Sequence, residues 1–452
     1  MLNRRKERPL LERVRNTFWA LPALGIAVAI GAALALPVLD DTITLPDAVS
    51  FSGSADTARA TLQMIATVAV SVAGISFSVI VVALVLASQQ LSPRVMRSFQ
   101  RHPLNQAVLG LFLATAAFSL FVLGSIDDSS DEVPEVAVTV AMVLAALSLA
   151  TFVVFLHHMV RSLNASAVIR RIAAEGHEAV HTPYPEYVGE APGDAEAAER
   201  DARAIVERSV SREVRAPRAG YLASVKADDV LATADDCDGF VEQRQAIGDF
   251  TVTGGLLAVV WCSRESLDEL AERVETAFVL NEERLVDGDV AFPLRQLADV
   301  ALKGLSPGIN DPTTAENAMD SVTDSLVRLA RQPEPALLRL APSGTPRLRA
   351  TTPSLDALIK LGFDQVRRDG AAQPSFAVRL LELLAALRDV GGARAAGSEE
   401  LDRQARAVRD HAIALADIPA DVELLRRSYD RLHGSAAFGD GRGSLPRDVV
   451  AR

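Results

Sequence analysis

Hydrophobic and polar positions divide the chain into two unlike parts. Four charge-free apolar runs occupy 16–39, 60–93, 103–126 and 136–156. Each is long enough to cross roughly 30 Å of hydrocarbon at about 1.5 Å per residue. The pattern predicts spans at 17–39, 60–90, 104–125 and 136–158, and with them a four-span transmembrane domain over 17–160. Beyond 160 the periodicity changes. A helical extension runs past Arg171 towards Gly176, and Pro183, Pro185 and Pro192 then mark a linker. With a short helix near 195–210, this segment fills 161–215.

From 216 to 262 the period shortens to two between glycines, the signature of short strands. Strands are predicted at 220–225, 240–244, 248–252 and 255–261, with a short helix at 228–234. Ala216-Pro217-x-x-Gly220 and Gly248-Asp249-x-x-x-x-Gly254 resemble a biotinyl/lipoyl-type barrel-sandwich module. A carrier domain needs a lysine at an exposed hairpin tip, yet none follows Trp261, and Lys226 precedes the helical insertion. The resemblance therefore implies a structural or oligomerising module. The remainder, 263–433, is helical in pattern. Ser266-Leu267-Asp268-Glu269 reads as a capping box opening a helix to Arg284. Further helices follow at 292–305, with Arg295 and Asp299 paired at i, i+4, then from Thr352 to Gly370 and at 375–389, 399–416 and 421–433. A Gly/Ser/Asp tail over 434–452 reads as disordered. The expected fold is mainly α: a four-helix transmembrane domain, then a cytoplasmic α+β region with a small barrel-sandwich-like β module and a helical C-terminal part.

Charge orients this architecture. Arg4, Arg5, Lys6, Arg8, Arg13 and Arg15 crowd the tail 1–16; Arg94, Arg97 and Arg101 follow the second run; Arg161, Arg170 and Arg171 follow the fourth. The other two loops are acidic, with Asp40, Asp41, Asp47 and Asp56 in one and Asp127, Asp128, Asp131, Glu132 and Glu135 in the other. Cytoplasmic loops accumulate basic residues, so a multi-pass protein of the inner membrane with both termini cytoplasmic is expected. The first run ends Leu36-Pro37-Val38-Leu39-Asp40 without a small-x-small cleavage site and reads as a retained span. The net charge of -12 and the lack of a basic face with interleaved aromatics exclude nucleic acid as a partner. Cys237 and Cys262 lack metal-ligand spacing and read as structural thiols.

Candidate chemistry is sparse. On the second span Gln63, Thr67, Ser71, Gly74 and Ser78 recur at helical spacing, with Val81 and Val85 further along the same face. Two readings compete: the lining of a water-filled path narrowed by valines, or hydroxyls packed on neighbours and bonded to their own backbone. Arg94, Arg97 and Arg101 share a face at its end, either as a basic cytoplasmic mouth or as a topological anchor. None of the four apolar runs holds an ionisable residue, against the habit of proton-coupled transporters. Adjacent His157 and His158 point about 100° apart on a helix and cannot share a metal. In the soluble part Leu305-Ser306-Pro307-Gly308-Ile309-Asn310-Asp311-Pro312-Thr313 makes a rigid turn before a helix. Asp311 is placed to cap that helix and Pro312 to open it. Ser306, Gly308, Asn310, Asp311 and Thr313 are the candidate anion-binding group, and a structural corner is the alternative. No Gly-x-Ser-x-Gly, Walker loop, His-Glu-x-x-His or paired-carboxylate motif occurs, so no catalytic residue, metal or cofactor is assigned.

Four segments together carry a family resemblance: Ala87-Ser88-Gln89-Gln90-Leu91-Ser92-Pro93-Arg94, Phe155-Leu156-His157-His158-Met159-Val160-Arg161-Ser162, Gly248-Asp249-Phe250, and Leu305 to Ala315. They resemble a bacterial family of predicted membrane proteins known as domain of unknown function 2254. That likeness implies architecture and no activity. Three functions are compatible with the residues. The first is a homo-oligomeric channel or channel-like pore with a cytoplasmic regulatory domain. The second is a non-conducting sensor or scaffold that binds a partner or small anion through its cytoplasmic domain. The third, least supported, is a membrane enzyme. Membrane lipids are partners in each, and the polar stripe leans the reading towards the channel.

Overall fold

The computed structural model describes residues 20–39, 50–90, 103–126, 133–162, 165–181, 184–185, 188–286 and 288–433. The chain divides into two compact units, Met1–Val168 and Ile169–Arg452. It is mainly helical, with four helices long and apolar enough to cross a membrane among the described residues, followed by a region that contains sheets.

The first unit contains α1 (Ala20–Leu39), α2 (Ala55–Gln90), α3 (Pro103–Leu123) and α4 (Glu135–Ser162). In hydrocarbon every backbone polar group must be satisfied within the segment, so uninterrupted apolar runs fold as helices. They are not equivalent. Of the spanning residues of α3, 61% are buried, against 17% for α1, 28% for α2 and 22% for α4, so α3 is the axis on which the others pack. Its sequence permits this. A Cβ at Gly110 would lie 3.1 Å from the Pro22 Cα of α1, and one at Gly25 3.5 Å from the Gly110 carbonyl oxygen. The two backbones thus meet where neither carries a side chain. Ala29 and Ala33 of α1 are buried, while Gly31 faces open space. Two apolar layers complete the unit. Leu62, Phe118, Val122 and Ala137 fill one; Ala73, Phe112, Ala116 and Phe155 fill the other. Thr115 and Ser148 share a buried hydrogen bond of 3.0 Å between α3 and α4. The Phe51 N–H donates to Thr139 Oγ1 at 2.9 Å, which fastens the approach to α2 onto α4.

Helix α5 (Ala165–His181) belongs to the second unit from Ile169 on; there Ile169, Ile172 and Ala173 are buried, and His177 Nε2 lies 3.1 Å from Asp324 Oδ2. Part of the Pro-rich segment is pinned. Arg339 donates to the Val188 carbonyl at 2.5 Å and to the Gly189 carbonyl at 3.0 Å, and the Leu340 N–H to the Glu190 carbonyl at 2.9 Å. The next elements are α6 (Ala195–Arg208), β1 (Val210–Arg215), β2 (Gly220–Val225), α7 (Ala227–Asp236), β3 (Phe240–Gln243), β4 (Phe250–Thr251), β5 (Leu256–Cys262), α8 (Leu267–Ala277) and β6 (Phe278–Asn281). Two strands come from much later in the chain, β7 (Leu338–Leu340) and β8 (Pro346–Arg349). They form a five-stranded sheet, β1-β5-β3-β8-β7, and a three-stranded sheet, β4-β2-β6. The β3–β8 pair is parallel; every other pairing is antiparallel.

Period-two alternation builds three layers around the larger sheet. Phe240 and Trp261 point to one face and pack with Ala198, Ala202 and Ile205 of α6. Val241, Val260 and Cys262 point to the other, into a core with Val230 of α7 and Leu270 and Val274 of α8. This arrangement departs from a β module closed within 216–262. Strand β3 completes its hydrogen bonding with β8 on one side and β5 on the other, while β1 covers the outer edge of β5. The helix predicted from Ser266 to Arg284 stops at Ala277, because Phe278-Val279-Leu280 alternates buried and exposed and pairs with β2. Nor does the capping box form. Ser266 is in helical conformation with no side-chain cap bond, and its own N–H reaches Ser263 Oγ at 3.4 Å.

The helical remainder comprises α9 (Ala291–Leu305), α10 (Pro312–Arg331), α11 (Leu355–Gly370), α12 (Pro374–Val390), α13 (Gly392–Ala396), α14 (Glu399–Leu415) and α15 (Pro419–His433). The expected Arg295–Asp299 pair is present at 3.1 Å. Buried polar links tie the helices together: Arg367 donates to Gln404, and Gln404 to Asp364 and Glu400.

Two outcomes are expected. Gly110→Leu drives side-chain atoms into the α1 backbone, so it lowers the unit's unfolding free energy by about 1–3 kcal/mol, whereas Gly31→Leu leaves it unchanged; thermal unfolding in detergent checks both. The second concerns Glu199, whose carboxyl is held below its ordinary pKa of 4.5 by hydrogen bonds from Arg349 at 2.9 and 2.8 Å, against the opposing effect of burial. A depressed carboxyl pKa stabilises the fold above the unfolded value, and the stabilisation is lost as pH falls through the folded one. Glu199→Gln should therefore flatten the decline of the unfolding midpoint below about pH 4.5, and an unchanged slope in that window counts against the pair.

Candidate functional site

The α2 face is the first site. Thr67 Oγ1 donates to the Gln63 carbonyl at 2.8 Å, Ser71 Oγ to the Thr67 carbonyl at 2.8 Å, and Ser78 Oγ to the Gly74 carbonyl at 3.0 Å. Each hydroxyl is thus satisfied within its own helix. Gln63, Thr67, Ser71, Gly74, Ser78, Val81 and Val85 are all exposed, so among the described residues the stripe is one continuous face that no other helix of the first unit covers. The packed face of α2 is a different one: Leu62, Ala66, Ala69, Ala73, Ser76, Ile80 and Ala83 are buried. Their spacing of 4, 3, 4, 3, 4 and 3 is itself a helical signature. That small-residue heptad was the signal for the packing surface, and it lies beside the polar one. Arg94, Arg97 and Arg101 fall outside the described residues.

The turn before α10 is the second site. The Ile309 and Asn310 N–H groups both donate to the Ser306 carbonyl, at 3.0 and 2.8 Å, and the Asp311 N–H to the Gly304 carbonyl at 2.8 Å. Ser306 Oγ turns back to the Lys303 carbonyl at 2.7 Å. Asn310 adopts φ +49°, a conformation Asn tolerates better than most residues. Asp311 caps α10 as its sequence position implies, accepting from the Thr314 N–H at 3.1 Å and from Thr314 Oγ1 at 2.6 Å, with Pro312 in the first turn. Gly308 and Thr313 are exposed. The turn's own donors and carboxylate therefore occupy the helix start that an external anion would use.

A third arrangement was not foreseen. Gly248 of the Gly-Asp-Phe segment has φ +91°, and a Cβ there would lie 2.0 Å from Asp289 Oδ2. Asp289 is buried and fully engaged: Oδ2 accepts from Arg284 Nε at 2.6 Å, and Oδ1 from Arg284 Nη2 at 3.1 Å and the Ala291 and Phe292 N–H groups at 3.0 and 3.1 Å. Burial pushes its carboxyl pKa up against these donors. The Arg284 guanidinium also lies 5.4 Å from the Phe292 ring centre. The pair seals the start of α9, which explains why the segment needs glycine. Asp289 borders a cleft of the second unit that also touches Tyr184, Leu329, Thr352, Leu358 and Arg394.

Burial, and to a lesser degree the neighbouring Cys237, pushes the Cys262 thiol up to about 11, so thiolate is scarce at neutral pH. Among the described residues no group of three or more His, Cys, Asp or Glu side chains could hold a metal ion.

The model of a family described as predicted membrane protein (DUF2254) matches residues 15–386. The chain belongs to that family. The match embraces α1 through most of α12, and with them all three sites of this DUF2254 chain. Two relatives titled uncharacterized proteins, one of Mycobacterium bovis and one of Mycobacterium tuberculosis, are each 31% identical over 398 residues, covering 86% of this chain and 74% of their own length. No solved structure matches.

Gly248→Ala should lower the unfolding free energy by about 2 kcal/mol or more, combining an unfavourable φ with a collision against a buried carboxylate. Gly193→Ala, where an added Cβ meets nothing within 4 Å, should leave the midpoint of thermal unfolding in place.

Proposed function

We propose that this DUF2254 protein is a homo-oligomeric, channel-like protein of the inner membrane, non-catalytic, with both termini cytoplasmic and the second unit regulating a polar path lined by α2. One observation carries the reading: the amide of Gln63 and the hydroxyls of Thr67, Ser71 and Ser78 line a face that the described helices of the first unit leave uncovered. Lipid offers such groups nothing, whereas a second copy or a file of water does. Closed rotational symmetry around α2 would turn the stripe inward, with Gln63 at one end and the Val81–Val85 constriction at the other. Arg94, Arg97 and Arg101 would then ring the cytoplasmic mouth, and the β region would serve as a structural or oligomerising module.

The same hydroxyls favour a second reading, since each already spends its proton on its own backbone. A dry interface between α2 helices would give a non-conducting sensor or scaffold, with the second unit binding a partner or small anion.

The two separate cleanly. In a Cys237→Ser/Cys262→Ala background, Ser71→Cys and Ser78→Cys should react with a membrane-impermeant thiol reagent, while Leu149→Cys on the lipid-exposed face of α4 should not. Ser71→Trp should abolish ion flux in proteoliposomes. Protection of both cysteines together with undiminished flux in Ser71→Trp would sink the channel reading. For orientation, a C-terminal fluorescent reporter should be active and a C-terminal alkaline phosphatase inactive.

A further inference from the structure

The cleft beside Asp289 has walls of Ile247, Val290, Leu329, Leu355 and Leu358, with prolines at its rim. Its polar groups are mostly spent. Tyr184 Oη donates to Gln243 Oε1 at 2.5 Å, and Thr351 Oγ1 to the Gln243 carbonyl at 2.5 Å. Asp289 is neutralised by Arg284 and saturated by backbone N–H groups. Arg394 differs. Its Nη1 donates to the Leu329 and Gln332 carbonyls at 3.2 and 3.0 Å, satisfying the end of α10. Among the described residues it has no carboxylate within 4.0 Å and no partner for its remaining N–H groups. One wall of an apolar cleft thus presents a fixed positive charge and donors in excess.

We propose that this cleft binds a small aliphatic monocarboxylate, its carboxylate on the free edge of the Arg394 guanidinium and its hydrocarbon against Leu329, Leu355 and Leu358. The class follows from the lining. A guanidinium fork matches a carboxylate in plane and in charge. Apolar walls reward hydrocarbon and give a sugar or polyol too few partners. A cation would meet an uncompensated arginine, and a phosphate dianion would find one guanidinium where its desolvation calls for more. Size follows from the cavity. Its ≈ 60 Å³ is well below the roughly 150 Å³ cavity that takes up benzene, so only a short aliphatic chain is admitted. Butyrate serves as the short-chain probe. This site is separate from the α2 face and does not depend on whether α2 conducts.

The experiment uses the full chain in lipid nanodiscs, with butyrate as the probe and empty nanodiscs as background. Saturation-transfer NMR should detect binding of butyrate and show butanol and butylammonium about tenfold weaker or more, the worth of one charge-assisted hydrogen-bonded contact. Thr352→Phe, which fills the cleft from its half-buried rim, should abolish transfer while preserving the unfolding midpoint. Arg394→Gln should weaken butyrate by a similar tenfold. If Arg394→Gln fails to fold, because α10 loses its cap, Thr352→Phe and the butanol comparison still decide. The proposal is overturned by absence of transfer at millimolar butyrate, by equal transfer to butanol, or by undiminished binding in Thr352→Phe.

Discussion

Burying one apolar helix among three others requires that its neighbours come close without any hydrophobic drive from lipid. In this chain the requirement falls on α3, and Gly110 meets it by letting the α1 backbone approach at Pro22. The remaining organisation of the first unit follows. Alanines at 66, 69, 73 and 83 let α2 lie against the same axis, and the Thr115–Ser148 bond holds α4 to it. Because α3 takes all three partners, α1, α2 and α4 each keep most of their surface exposed. The polar face of α2 is exposed for that reason. Helices that pack on a common axis turn their other sides outward, and evolution is free to place something other than lipid there.

This also marks how far the sequence could be read. Charge-free runs announced the four helices, since their length and composition admit no other backbone solution in hydrocarbon. Period alone, however, says that residues share a face and is silent on what covers it. The stripe from Gln63 to Val85 and the stripe from Leu62 to Ala83 have nearly the same periodicity. The polar one reads as chemistry, yet the plain small-residue one is the packed surface.

The second unit was legible where contacts are local and opaque where they are not. Strands β2, β3 and β5 and the Asp311 cap follow from alternation and turn residues within a few positions. Leu338-Arg339-Leu340 and Arg347-Leu348-Arg349, which form the hairpin of β7 and β8, do alternate about a Pro-Ser-Gly-Thr turn. Arginines at alternate positions suggest an exposed ribbon, but Arg339 and Arg347 are buried. Their charges are met by the Val188 and Gly189 carbonyls in one case and by Asp235 and Asp238 in the other. No local pattern reveals partners more than a hundred residues away, nor that β8 would align parallel to β3.

The distribution of carboxylates bears on what the second unit can attract. Helix starts carry partial positive charge and commonly recruit anions. Here Asp194 occupies that position on α6, Asp289 on α9 and Asp311 on α10. At these three helix starts an acid of the chain itself takes the place that an outside anion would use. What remains to recognise an anion is side-chain cation that no carboxylate answers. Most arginines fail that criterion: Arg284, Arg347, Arg349, Arg379 and Arg403 all face acids. Selectivity in such a unit is set less by the chain's net charge of -12 than by cations left uncompensated in apolar surroundings, where a single charge is screened least.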